Sequence, residues 1–206
     1  MLTKALLLRE ISLAKNTIGD LLLSVISCLL VVCIFLLILE KNDSATFHGL
    51  IIIITTLNIL MNDYISDEFR LGVTEQLFLL PIPPLKVVLI KLGVNFIRYL
   101  LVHIILWFIV CAIFQVEFHY LQYSLFTLNL TVVSFLVTAM SLSLPPRQHI
   151  ICNMLLLPII FPQIILSILS ISDRNYIYLA LSLTIVMMPV FILFSTLILK
   201  KAIADS

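Results

Sequence analysis

Few residues in this chain are of a type that does chemistry, and their spacing sorts them quickly. Lys91, Asn95 and Arg98 stand at i, i+4 and i+7, which places all three on one face of a helix. Charge inside a membrane is costly and marks a functional hypothesis by default. These residues fall in the first two turns of an apolar run, so two readings stay open. Their cations snorkel to headgroups, or the face packs as a polar seam against another helix. Glu68, Gly72 and Glu75 repeat the same spacing in a polar stretch. That pattern forms a stripe on which a partner can dock.

The remaining candidates argue against catalysis. His103, alone on an apolar stretch, reads as a hydrogen-bonded packing residue. His48 and His119 fall in connections at one end of the molecule, with no spacing or aromatic platform that pairs them, and His149 reads as a cap on an apolar run. Cys28, Cys33, Cys111 and Cys152 sit in apolar runs as small hydrophobes. No C-x-x-C or Cys/His spacing offers a metal site. The four glycines supply neither G-x-x-x-x-G-K-[ST] nor G-x-G-x-x-G, so both phosphate cradles are lacking. The chain reads as a non-catalytic subunit, with no residue assigned to a cofactor or metal.

The elements that hold these residues follow from composition. The 206 residues are 62% hydrophobic and 11% charged, with a mean hydropathy of +1.23. Soluble domains carry about 25% charged residues, so this composition excludes a soluble enzyme. A net charge of +1 argues against nucleic-acid binding. Apolar segments at 20–39, 47–62, 92–114, 121–144, 149–171 and 176–199 are each read as a transmembrane helix, because open strands leave backbone groups unsatisfied in lipid. Leu21 to Leu39 is longer than a leader's apolar core, which makes it a span rather than a signal peptide. The expectation is an all-α polytopic membrane protein, one permease-like domain over 1–206, with no nucleotide-binding domain attached.

Orientation follows from the basic residues. If both termini lie inside, only Lys41 and Arg174 of the twelve Lys and Arg lie outside, leaving ten on the inner side. Both termini are therefore expected in the cytoplasm. Trp107, Tyr120, Tyr123, Tyr176 and Tyr178 are read as outer interfacial anchors. Asn58 and Asn62 are placed to bond a neighbouring helix. Pro158 and Pro162 break consecutive turns of the fifth span, which either bends the helix or lines a pathway.

The segment from Asp63 to Lys91 is the one long inner connection. Ile65, Phe69, Val73, Leu77 and Leu80 fall within about 120° of arc at ~100° per residue. Asp63, Asp67, Arg70 and Thr74 take the other side. That pattern predicts an amphipathic helix from Asp63 to Leu80 outside the bilayer, with Pro81, Pro83 and Pro84 ending it. An acidic polar face suits a cytoplasmic protein better than anionic lipid, which attracts Lys and Arg. Gly72 either admits a close neighbour or divides the helix.

The string from Asp67 through Glu75-Gln76-Leu77-Phe78-Leu79-Leu80-Pro81-Ile82-Pro83 resembles the loop of the haem exporter protein B family (CcmB), and the similarity continues through Val87 to Lys91. Leu155-Leu156-Leu157-Pro158-Ile159-Ile160-Phe161-Pro162 resembles that family's Leu-Pro-x-x-x-Pro segment. Together the two matches cover about a sixth of the chain. Leu71 stands where the family often has Asp, and Leu121 to Leu144 lacks the family's frequent glycines.

The resemblance implies an ABC-2-like permease of six spans whose coupling segment, 63–86, lies between spans 2 and 3. It implies a complex of cytochrome c maturation in the bacterial inner membrane or the equivalent organellar membrane. ATP binds a separate CcmA-like ATPase, CcmC-like and CcmD-like proteins share the membrane, and a CcmE-like chaperone carries haem, the handled ligand. By the same likeness, Asp67, Glu68, Arg70, Gly72, Glu75 and Gln76 face the ATPase. A second permease copy is an alternative to a different membrane partner. Two rival readings are an ABC-2-type exporter of lipid, drug or glycan and a hydrophobic subunit of a respiratory oxidoreductase. The second predicts paired intramembrane histidines or mid-span acids, which the sequence does not offer.

Overall fold

The computed structural model describes residues 2–16, 44–61, 73–115, 117–142, 149–173 and 175–204, with isolated positions between 18 and 26. Apart from Leu22, Leu23 and Ile26, the first apolar segment, 20–39, and the loop residues Asp63 to Gly72 lie outside this description. All regular structure among the described residues is helical: α1 (Leu2–Asn16), α2 (Ser44–Met61), α3 (Val73–Phe78), α4 (Pro84–Phe114), α5 (Tyr120–Leu142), α6 (His149–Ser172) and α7 (Asn175–Ala204).

Among the described residues, three helices are long and apolar enough to cross a membrane: Pro84–Ala112, Tyr120–Leu142 and Asn175–Ala204. With 31 residues, α4 is about 46 Å long at 1.5 Å per residue, well beyond the ~30 Å hydrocarbon core. The excess lies at the polar Pro84 end. Pro84 is the first residue of α4, so it starts a helix where the sequence predicts a break. Its missing N–H costs nothing at N1, and Pro83, at φ −55° and ψ 130°, directs the chain into the first turn. Gln115 closes the far end in the left-handed region, φ 55°, and its N–H bonds the Cys111 carbonyl.

The centre of the bundle is α5, which packs against α2, α4, α6 and α7. Its buried row includes Phe126, Leu130, Val133 and Ala139. Hydroxyl residues enter this apolar environment because each donates within its own helix: Thr127 to the Tyr123 carbonyl, Thr131 to Thr127, Thr184 to Ala180 and Ser195 to Phe191. Between helices, Asn129 Nδ2 donates to Thr184 Oγ1 at 2.9 Å, joining α5 to α7.

The exterior is apolar as well. Ile97, Leu101, Ile105 and Phe108 make an exposed stripe along α4, and Ile185, Val186, Leu193 and Leu197 do so along α7. Soluble monomers rarely expose contiguous apolar patches beyond a few hundred Å². Stripes of this length match lipid.

Two of the expected interfacial anchors are not at an interface. Trp107 and Tyr123 are fully buried, whereas Tyr120, Tyr176 and Tyr178 are exposed. Trp107 Nε1 donates to Thr55 Oγ1 at 3.1 Å, and the Tyr123 hydroxyl meets His48 Nδ1 at 2.5 Å. Their polar atoms find partners inside the bundle, so neither ring needs water.

Candidate functional site

At the Pro84 end, four pieces of chain meet in one small apolar cluster: Leu6 of α1, Leu77 of α3, Ile82 of the turn and Val87 of α4. After Phe78 the chain tightens into that turn. Leu79 N–H donates to the Glu75 carbonyl, Ile82 N–H to Leu80, and Lys86 N–H to Pro83. Pro81 and Pro83 sit exposed on the turn while Ile82 points inward. The prolines supply fixed φ where no donor is needed, and Ile82 pins the turn to the bundle.

The Lys91, Asn95 and Arg98 face is buried rather than snorkelling. Its neighbour is α1. Lys91 Nζ lies 3.2 Å from Glu10 Oε1, and Arg9 Nη1 approaches the same oxygen at 2.6 Å. Glu10 and Lys91 are 1% and 2% exposed. The Arg98 guanidinium lies 5.1 Å from the centre of the Tyr99 ring, a cation–π distance. Lys91 thus faces a carboxylate of α1. Hydropathy does not register α1, because Lys4, Arg9, Glu10 and Lys15 keep it far from a span. The available signal is Leu6 and Glu10 at i and i+4, which share the face turned to α4.

Glu75 of the expected docking stripe is half-buried and Gln76 is exposed. Leu77 next to them is buried as part of the cluster. Asp67, Glu68, Arg70 and Gly72 lie outside the described residues, as do the side chains of Asn58, Asn62, Cys28, Cys33, Cys152 and His149. Pro158 and Pro162 are exposed inside α6, which continues as helix through both. They are not breaks. Beside them, the buried Gln163 Oε1 has no hydrogen-bond partner among the described residues.

From the middle of α4 to its Phe114 end runs a column of rings. Tyr99 and His103 centroids are 6.1 Å apart, His103 and Trp107 5.8 Å, and Trp107 stacks on Tyr123 at 4.7 Å. His48 continues from Tyr123 at 6.1 Å and meets His119 at 5.4 Å. His103 Nδ1 donates to the Tyr99 carbonyl at 2.7 Å, since a carbonyl only accepts. Its Nε2 is then the lone-pair nitrogen, with no partner among the described residues. His103 is thus a hydrogen-bonded packing residue, as its solitary position predicts. Sequence spacing does not reveal that His48 and His119 meet.

Among the described residues no group of three or more His, Cys, Asp or Glu is placed to hold a metal ion. Cys111 is a buried free thiol. No protein-family model matches the chain, and no curated protein matches its sequence.

Proposed function

We propose that this chain is the permease subunit of an ABC-type complex that handles haem in cytochrome c maturation. The observation that carries the transport part is the joint at the Pro84 end. A short helix with a polar edge, Glu75 and Gln76, is seated through Leu77 on Leu6, Ile82 and Val87. A push on α3 therefore reaches both α1 and the base of α4. The haem part rests on the likeness of Glu75-Gln76-Leu77 to Pro83 to the CcmB loop.

In this reading six helices cross the inner membrane, both termini are cytoplasmic, and the segment from Asp67 to Leu80 meets a CcmA-like ATPase. ATP binding and hydrolysis in that partner move α3, and α4 relays the movement past the Lys91 seam into the bundle. CcmC-like, CcmD-like and CcmE-like proteins receive the output, which is haem passage or release of the loaded chaperone. This chain contributes no bond-making step of its own.

The test is co-purification of the ATPase, with haem staining of c-type cytochromes alongside. Reversing a charge at a partly buried interface costs a few kcal/mol, or roughly a hundredfold in affinity. Glu75→Lys and Gly72→Leu are expected to lose both readouts while reaching the membrane normally, and Thr74→Ala to keep both. Full ATPase binding by both variants refutes the docking surface. Loss of ATPase binding with unchanged holocytochrome c keeps the permease and refutes the haem role.

A further inference from the structure

At the Pro84 end of the bundle, α1 has three unlike sides. Leu6 and Glu10 are buried on the side turned to α4, against Val87 and Lys91. Ala5, Arg9, Ser12 and Asn16 make a second side of small and polar residues. At ~100° per residue, Lys4, Leu7, Leu8, Ile11 and Lys15 fall within about 100° of arc on the third. There Leu7, Leu8 and Ile11 are 40%, 58% and 49% exposed, and both lysines are exposed as well. An apolar row with a cation at each end is the make-up of a helix that lies against a membrane surface. Glu10 is the one acid of α1 and is buried between Lys91 and Arg9. The charge this helix leaves open is therefore all positive.

The depth of α1 points the same way. At 1.5 Å per residue, Lys91 stands about 35 Å along α4 from Phe114. With Phe114 at one edge of a ~30 Å hydrocarbon core, Lys91 falls in the headgroup layer of the opposite leaflet. Glu10 meets Lys91, which sets the middle of α1 at that level. We infer that the face formed by Lys4, Leu7, Leu8, Ile11 and Lys15 docks on anionic lipid of the leaflet at the Pro84 end. Leu7, Leu8 and Ile11 enter the boundary between headgroups and acyl chains. Lys4 and Lys15 lay their stems along it and extend their amines to lipid phosphates. The neighbouring α3 offers Glu75 and Gln76 instead, a pair that anionic lipid does not attract. The inference rests on the membrane placement proposed above, and on neither haem nor an ATPase.

The experiment uses the full chain reconstituted in phosphatidylcholine vesicles that carry a brominated quencher lipid, either phosphatidylglycerol or phosphatidylcholine. Leu8→Trp places a reporter on the docking face and Ala5→Trp places one on the small, polar side, both at exposed positions. The parent chain supplies the Trp107 background. Brominated lipid is expected to quench Leu8→Trp and to leave Ala5→Trp to aqueous acrylamide. Brominated phosphatidylglycerol is expected to quench Leu8→Trp at a much lower mole fraction than brominated phosphatidylcholine. Adding Lys4→Gln and Lys15→Gln is expected to cut that preference about fivefold per lysine, with unchanged elution and helicity. A Leu8→Trp emission that neither brominated lipid reaches overturns the inference, because the face then meets water or protein. Equal quenching by the two lipids, or a preference that survives the loss of both lysines, overturns the anionic assignment. Co-purification of the ATPase is not a readout here, so its failure leaves this surface standing.

Discussion

Replacing Glu10 by glutamine removes the carboxylate that faces Lys91 while keeping the shape of the side chain. The two groups are 3.2 Å apart and almost wholly buried. At an effective dielectric of about 20, that separation corresponds to roughly 5 kcal/mol of attraction. Removing one member of a buried pair costs about 3–5 kcal/mol, because the other charge stays buried and loses this counterion. Glu10→Gln is therefore expected to destabilise by about 4 kcal/mol, or about 10 °C in Tm for a chain of this size. Lys91→Met differs, because Arg9 still lies 2.6 Å from Glu10 and its side chain is one-third exposed. Its cost is about 2 kcal/mol, the worth of one charged hydrogen bond. The double variant buries an amide and a thioether with no orphaned ion, so it is expected to return to within about 2 kcal/mol of the parent. The assay is thermal unfolding of the four purified chains in one detergent, followed by far-ultraviolet circular dichroism. Losses that simply add, within about 0.5 kcal/mol, refute the pairing.

Trp107 is the only tryptophan, so its emission is expected to be blue-shifted and resistant to aqueous acrylamide; quenching in the folded state contradicts its burial. Trp107→Ala is expected to cost about 3–5 kcal/mol in the same thermal assay. Asn129→Leu breaks the α5–α7 hydrogen bond, but Thr184 keeps its bond to Ala180, so the loss is expected near 1 kcal/mol. A C-terminal reporter is expected to be active only in the cytoplasm, and activity on the outer side rejects the six-span topology. Native mass spectrometry is expected to find two permease copies, or one copy with a different membrane subunit, and a permease without either refutes the two-site ABC arrangement.

Hydropathy located the long helices well because it measures what holds them in place. The run at 121–144 matches Tyr120–Leu142, and the run at 176–199 lies within Asn175–Ala204. It places the start of the third run at 92, whereas α4 begins at Pro84. Lys86 and Lys91 lower the hydropathy there without opposing the helix, since a helix only needs its backbone bonds closed. The site was less legible for a different reason. The spacing of Lys91, Asn95 and Arg98 showed a shared face, but the choice between lipid headgroup and packed seam depended on Glu10, 81 residues away. The meeting of His48 with His119 is likewise set by how α2 lies against α5. Side-chain periodicity along one helix carries no information about which other helix faces it.

The buried pair at the base of α4 also has a consequence in time. Glu10 is made 81 residues before Lys91, which at 5–20 residues per second is roughly 4–16 s of synthesis. Throughout that interval Lys91 is not yet made, and Arg9 is the charge partner already beside the carboxylate. Because α1 packs against α4, its docking there follows, at the earliest, the exit of the first turns of α4 from the ribosome. The last step in assembling this corner of the bundle is thus the burial of the first helix made, and a nascent chain stalled before Lys91 keeps that helix undocked.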